Sequence, residues 1–223
     1  MAGSLEELPL FPLHTVLFPY AQLQLHVFED RYRDMVRSCI EFDRPFGIVL
    51  IREGSEVGDI AAPYMVGTAV RILKVMPYDD GRMDVQVKGE RRFRIRELDE
   101  EKHAYLVGMV EPVIEAEIEE TEDVRQLLDD AKDQFSQYIQ RALAGHHFNV
   151  SVTLPQDPVV LSFAIANMLQ MENLEKQRLL ETTDTVERVA NLMPVLLLNN
   201  LEAAQPGYFR IGGDDLREWI TPN

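Results

Sequence analysis

The sequence predicts an α+β fold, mostly antiparallel strands to about residue 112 and an all-helical bundle after it. Two observations carry this. Apolar residues alternate with polar ones in stretches such as Gln22-Leu23-Gln24-Leu25-His26-Val27 and Met83-Asp84-Val85-Gln86-Val87-Lys88, the period-two spacing of strands with one buried face. Beyond Pro112 and an acidic link from Glu115 to Asp123, Val124, Leu127, Leu128, Ala131, Phe135, Tyr138, Ile139 and Ala142 recur at helical spacing and form one stripe.

The opening stretch, Leu8 to Pro19, is apolar, uncharged and carries Pro9, Pro12 and Pro19. A secretory signal needs a basic region before its apolar run, and here Glu6 and Glu7 stand there instead. A membrane-spanning helix of roughly 20 residues would lose a hydrogen bond at each proline. The stretch is therefore expected to be β-structure, an edge strand and a proline-bearing connection leading into the half-buried strand at Gln22–Val27. Tyr32, Met35, Val36, Cys39 and Ile40 then form the stripe of a first helix, Glu29 to Ile40, which makes Cys39 a small buried hydrophobe. Strands are expected at Phe46–Ile51, Val66–Met76, Met83–Lys88 (ended by Gly89), Phe93–Arg96 and Tyr105–Val110, with Asp79-Asp80-Gly81 as turn chemistry.

In the second half Thr121 is a natural cap for the long stripe. Asp157-Pro158 pairs a cap with a proline at the first helical position and opens Val159–Leu169, which is apolar nearly all round and should be the buried centre. Leu174–Glu181 is a short helix. Asp184 to Glu187 resembles a capping box opening the last long helix, which runs to about Ala203 and which Pro194 should kink or split. The expected divisions are residues 1–112, residues 113–203, and a tail, 204–223. That tail's Tyr208, Phe209, Ile211, Leu216, Trp219 and Ile220 are too apolar for water and should dock back on the protein.

With 38 acidic and 22 basic residues the net charge is -16, a balance that disfavours nucleic acid and anionic lipid as partners. One cysteine allows no intramolecular disulfide and no multi-cysteine zinc site, and suits a reducing cytoplasm.

Catalytic motifs are missing from the sequence. No glycine precedes a lysine, so no P-loop is present; there is no G-x-S-x-G and no H-E-x-x-H. His146-His147 is the one histidine pair, in an expected loop. No cofactor or metal is expected. The basic run from Arg91 to Arg96 would place Arg92, Arg94 and Arg96 on one strand face, where they could hold an anion or RNA, with Glu90, Glu97 and Asp84 near enough to neutralise them. A small-molecule hydrolase in a cleft between the two halves is the other alternative, to be betrayed by buried carboxylates or a His-carboxylate pair.

The segments LPLFPLHTVLFP, LQLHVFEDRY, GTAVRILKV and VQVKGERRFRI, followed by LPQDPVVLSFAIANML and NLEKQRLLETTDTVERVANLMPVLL, resemble the N-terminal substrate-binding domain of Lon-type ATP-dependent proteases, in the family's order over residues 7–203. The resemblance implies a PUA-like pseudo-barrel followed by a helical bundle. It implies a non-enzymatic protein- or peptide-binding module, with unfolded or tagged polypeptides as partners and a protease or chaperone system alongside. A Lon protease also carries an ATPase module and a Ser-Lys protease domain; neither is found in these residues, so a free-standing binding-domain protein is expected. By position the resemblance points to Asp30, Arg31 and Asp34, on the polar side of the first helix, as peptide-binding residues, although Asp34 stands where the family usually has a basic residue.

Overall fold

The computed structural model describes residues 5–58, 61–143, 150–202 and 220–222. They fall into two compact units. One reaches Ile114 and takes in Lys176–Glu181; the other holds Glu115–Glu175 and the described residues from Thr182 onward.

In the first unit, strand β1 (Glu6–Leu13) changes partner half-way. Glu6–Pro9 pair antiparallel with β7 (Val107–Pro112), while Leu10–Leu13 run parallel to β3 (Phe46–Glu53). With β5 (Val66–Pro77) and β6 (Met83–Asp99) in sequence between β3 and β7, the order β1-β7-β6-β5-β3 returns on itself and makes a small barrel. The short β4 (Ala62–Pro63) lies beside β3, and β2 (Gln22–Val27) pairs with β6 alone. The expectation that the chain opens with an edge strand is thus corrected, because β1 has a partner on either flank. Its prolines are tolerated because a strand residue turns its N–H to a given neighbour only at alternate positions, so each proline removes a donor from one flank.

β6 also runs on where a break at Gly89 was expected. Arg91 pairs with Ala69 and Gly89 with Val70, so Glu90 is a bulged extra residue and the strand continues past it. Gly89 is required by a close approach. The backbone of the loop entering β2 exchanges two hydrogen bonds with it, Tyr20 N to Gly89 O at 2.9 Å and Gly89 N to Ala21 O at 2.8 Å. A Cβ on Gly89 would lie 2.4 Å from Phe18 O. Thr68 Oγ1 donates to Leu17 O at 2.6 Å and holds the same loop from below.

Helix α1 (Asp30–Glu41) buries Tyr32, Met35, Val36 and Cys39 of the stripe read from the sequence, while its fifth member, Ile40, is corrected to the exposed end of the stripe. They join Phe11, Leu13, Leu25, Val27, Phe46, Val70, Val85 and Val87 in one core, while Leu8, Leu10, Val49, Phe93, Ile95 and Val110 form another. Each such side chain contributes roughly 1.5–3 kcal/mol on burial.

The second unit is built on α2 (Glu122–Leu143), α3 (Pro158–Met168) and α5 (Thr185–Glu202), with contacts among all three. The caps are where the sequence put them. Thr121 Oγ1 accepts from Val124 N, Asp157 Oδ1 from Val159 N and Val160 N, and Asp184 Oδ1 from Val186 N and Glu187 N. Leu161, Phe163, Ile165 and Ala166 of α3 are buried. α5 continues through Pro194 as one helix and is not split. The remaining helix, α4 (Asn173–Glu181), sends its residues from Lys176 into the first unit, where Gln177 Nε2 donates to Val66 O at 3.0 Å.

The expectation of an all-helical second half is corrected at one place. Val150–Val152 (β8) pairs antiparallel with Ile220–Pro222 (β9). Three residues are too few to show a period, and the partner lies some 70 positions away, so nothing local marked the strand. Of the expected tail, Tyr208, Phe209, Ile211, Leu216 and Trp219 lie outside the described residues, as do His146 and His147.

Candidate functional site: an apolar groove along strand β2

An apolar groove of about 360 Å³ lies beside β2. Phe11 and Leu13 of β1, Leu23, Leu25 and Val27 of β2, Tyr32 of α1, and Phe28 and Val57 line it, together with Thr15, Gln24, His26, Glu29 and Glu56. Phe11 stacks on Tyr32 with ring centroids 4.2 Å apart and fixes the floor. Burial there pushes the Tyr32 phenol above its ordinary pKa. Phe28 and Val57 remain 46% and 53% exposed, so the rim offers apolar surface to water at two points.

The rim is acidic. Glu29 and Glu56 belong to the lining, which contains no lysine or arginine. Glu29, although it sits at the N-cap of α1, makes no cap bond with its side chain. It accepts from Gly58 N at 3.4 Å and pairs with Arg31 at 3.1 Å. Glu56 accepts from His14 N. Its carboxylate is paired with no cation among the described ion pairs.

The three α1 residues singled out from the sequence separate. Arg31 turns inward beside Glu29, its guanidinium 4.6 Å from the centroid of the Tyr32 ring. Asp30 and Asp34 are exposed and pair along the helix with Arg33 and Arg37. Only Arg31 reaches the residues that build the groove.

Arg92 and Arg94 share a face of β6, but Arg96 does not continue it. Arg92 is 3% exposed and donates from Nη1 to Leu180 O at 2.6 Å, inside the first unit. Arg96, the extra residue of a second bulge, pairs with Glu111. Arg94 is half-buried. The bulge at Arg96 displaces the alternation there, and Arg92 is buried, so no continuous basic strip forms from these three.

A His-carboxylate pair does exist, at the far end of β2. His26 and Asp84 face each other across β2 and β6, with Nδ1 and Oδ1 2.6 Å apart. Tyr78 donates its hydroxyl to the other oxygen of Asp84 at 2.6 Å. The Tyr78 bond, then that of His26, holds the Asp84 carboxyl below the usual carboxylate range. The cluster is exposed, and Asp84 is the one hydrogen-bond partner of His26 among the described residues. With no serine, threonine or cysteine hydroxyl or thiol bonded to His26, the pair lacks the nucleophile that a hydrolytic dyad would activate. Its geometry is that of a cross-strand contact.

The groove missed notice in the sequence because its walls come from four separate segments. The signal that existed was the alternation of β2 and the lone apolar residues Phe28 and Val57 in polar surroundings.

Comparison with known proteins agrees with this architecture. The family model for the substrate-binding domain of ATP-dependent protease La (Lon) matches residues 7–197. Lon protease 1 of Thermus thermophilus is 29% identical over 202 residues, covering 88% of this chain and 25% of the relative. Lon protease of Geobacter metallireducens is 31% identical over 186 residues, 82% of this chain and 22% of the relative. The chain thus spans about a quarter of the length of these relatives. Among solved structures, the Lon N-terminal domain protein from Xanthomonas campestris superposes with a TM-score of 0.63 at 28% identity, covering 85% of this chain and 98% of that one. The N-terminal domain of the Mycobacterium avium complex Lon protease shares the fold, with a TM-score of 0.65 at 21% identity over 86% of this chain and 98% of that one. On the match over residues 7–197, the chain belongs to the Lon protease substrate-binding domain family.

Proposed function

We propose that this chain is a polypeptide-recognition module and that the groove beside β2 is where an unfolded or extended substrate segment is held. The observation that carries the reading is the combination of exposed Phe28 and Val57 with a contiguous apolar floor of Phe11, Leu23, Leu25, Val27 and Tyr32. Exposed apolar surface rimmed by polar groups is the common mark of a protein-binding site. A folded protein hides its apolar residues, so a site of this kind selects chains that have lost their structure. The reading assigns neither ATP hydrolysis nor peptide cleavage to these residues, and it places the site on one edge of the first unit. Arg31 acts through Glu29, holding the rim carboxylate in place; Asp30 and Asp34 lie in solvent and add long-range charge.

The test is a titration of this chain against a fluorescently labelled, permanently unfolded polypeptide, read by anisotropy, beside the same polypeptide in its folded form. Saturable binding of the unfolded form only is expected. Replacing Phe28→Asp and Val57→Asp together should weaken it about tenfold or more, about 1.4 kcal/mol per factor of ten. Equal binding by this variant, with its fold intact by circular dichroism, would remove the groove as the site.

A further inference from the structure

Among the described residues β2 pairs with β6 and with no other strand, so along Leu23–Val27 one edge has no partner strand. The groove runs along that edge. Successive side chains of a strand point to opposite faces, so a concavity facing one side of the sheet would be lined by every second residue. Here Leu23, Gln24, Leu25, His26 and Val27 all line it. Only a cavity lying beside the strand's edge meets both sets.

The edge carries none of the usual protections. Strand edges are commonly blunted by lysine, proline, inward charge or a bulge, since an open ladder invites a further strand. Gln22–Val27 contains no charged residue and no proline, and its register with β6 continues from Gln22↔Lys88 to Val27↔Met83 without a shift. An edge left regular and uncharged next to an apolar trough is a template for main-chain pairing.

Resting on the groove reading above, we propose that the bound segment adds to β2 as a further strand. Its backbone pairs with the open edge, its alternate apolar side chains enter the groove, and a lysine or arginine beside the segment meets Glu56. Charge complementarity fixes this choice of occupant: Glu56 stands in the lining with no cation among the described ion pairs, while Glu29 already has Arg31, on a chain of net charge -16. Backbone pairing is indifferent to sequence, and the groove asks only for alternating apolar residues. The site therefore suits many unrelated unfolded chains and rejects acidic ones.

The probe is a synthetic peptide that alternates valine and threonine over six residues, with an arginine at each end, labelled for anisotropy and titrated against the full chain. Its amides are N-methylated one at a time, which removes a donor from the peptide and leaves the protein untouched. Strand addition predicts a two-residue rhythm, methylation weakening binding about three- to tenfold at alternate positions and little at those between. Exchanging both arginines for glutamate should weaken it at least as much, and Glu56→Gln should reduce that preference. Binding that Phe28→Asp abolishes but that shows no rhythm under methylation overturns strand addition and leaves the groove reading standing. Binding indifferent to both overturns the two together, and absence of peptide binding overturns strand addition alone while the unfolded polypeptide still binds. Sedimentation is run in parallel. A concentration-dependent dimer that the peptide dissociates would make the β2 edge an interface between copies of this chain, which also overturns the proposal.

Discussion

Nη2 of Arg188 donates to Oε2 of Glu115 at 3.0 Å, and the side chain that does so is wholly shielded from water. The rest of the guanidinium is equally engaged. Nε donates to Ser162 Oγ at 2.9 Å, Nη1 to Thr182 O at 2.6 Å and Nη2 also to Thr185 Oγ1 at 3.0 Å, with the Phe163 ring 4.1 Å from its carbon. Burial pulls the Arg188 pKa below its usual value and Glu115 opposes that pull. One arginine thus ties the start of α5 to α3 and to the segment that precedes α2.

Removing it takes a buried charged donor from Glu115, Ser162, Thr182 and Thr185 at once. Arg188→Ala is expected to cost about 3–5 kcal/mol, and Arg188→Lys to recover only part, because an ammonium cannot reproduce the planar fork. Urea unfolding followed by circular dichroism checks both. A loss below about 1 kcal/mol, within the range of an ordinary surface substitution, would contradict this account of the hub.

Gly89→Ala is the second case. A methyl group 2.4 Å from Phe18 O forces the loop before β2 away from the barrel. Overpacking of this kind costs about 1–3 kcal/mol, which for a chain of this size lowers the melting temperature by about 2–4 °C per kcal/mol. Because the same loop leads into β2, peptide binding should fall with stability. A variant as stable as the parent would show that the loop yields freely.

Asp84 gives a pH signature. Its folded pKa is depressed by Tyr78 and His26, so its contribution to stability is present above the unfolded value of about 3.9 and disappears as the pH falls through the lower folded value. Asp84→Asn should therefore be less stable than the parent at neutral pH, and the difference should shrink as the pH drops below about 4. Parallel denaturation curves at pH 7 and in the acid limb test this; a difference independent of pH would assign the loss to shape instead of charge.

Cys39 should be silent in the native protein. It is 1% exposed, and burial pushes its thiol above the ordinary pKa, against the pull of Arg44. The thiolate is the reactive form, so a disulfide reagent at pH 8 should label it only at the rate at which the first unit opens, and at once in denaturant. Prompt labelling without denaturant would place Cys39 at the surface.

The burial of Cys39 also marks how much of the molecule could be read from its sequence. Local patterns were legible: the α1 stripe, the caps at Thr121, Asp157 and Asp184, and the alternation of β2 each depend on residues within a turn or two of one another. What escaped depends on residues far apart. Arg92 looks like a surface charge until Leu180 supplies its acceptor 88 positions later. Arg188 looks like the polar face of α5 until Glu115 and Ser162 arrive. The groove needs β1, β2, α1 and the segment around Val57 together, so the sequence indicated the polar side of α1 while the apolar site formed next to it. Bulges at Glu90 and Arg96 add residues that no periodicity can anticipate, and the second of them, with the burial of Arg92, undoes the basic face the sequence implied.

The partner exchange of β1 bears on how the chain is made. Leu10 waits for Gly47, but Glu6 waits for Val110, so the strand of this unit that is made earliest is among the last to be completed. At about 5–20 residues per second, Leu10–Leu13 wait roughly 2–7 s for β3 and Glu6–Pro9 roughly 5–20 s for β7. During that interval β1 is an exposed apolar segment, and Pro9 and Pro12, which donate nothing to a ladder, limit its pairing with other chains.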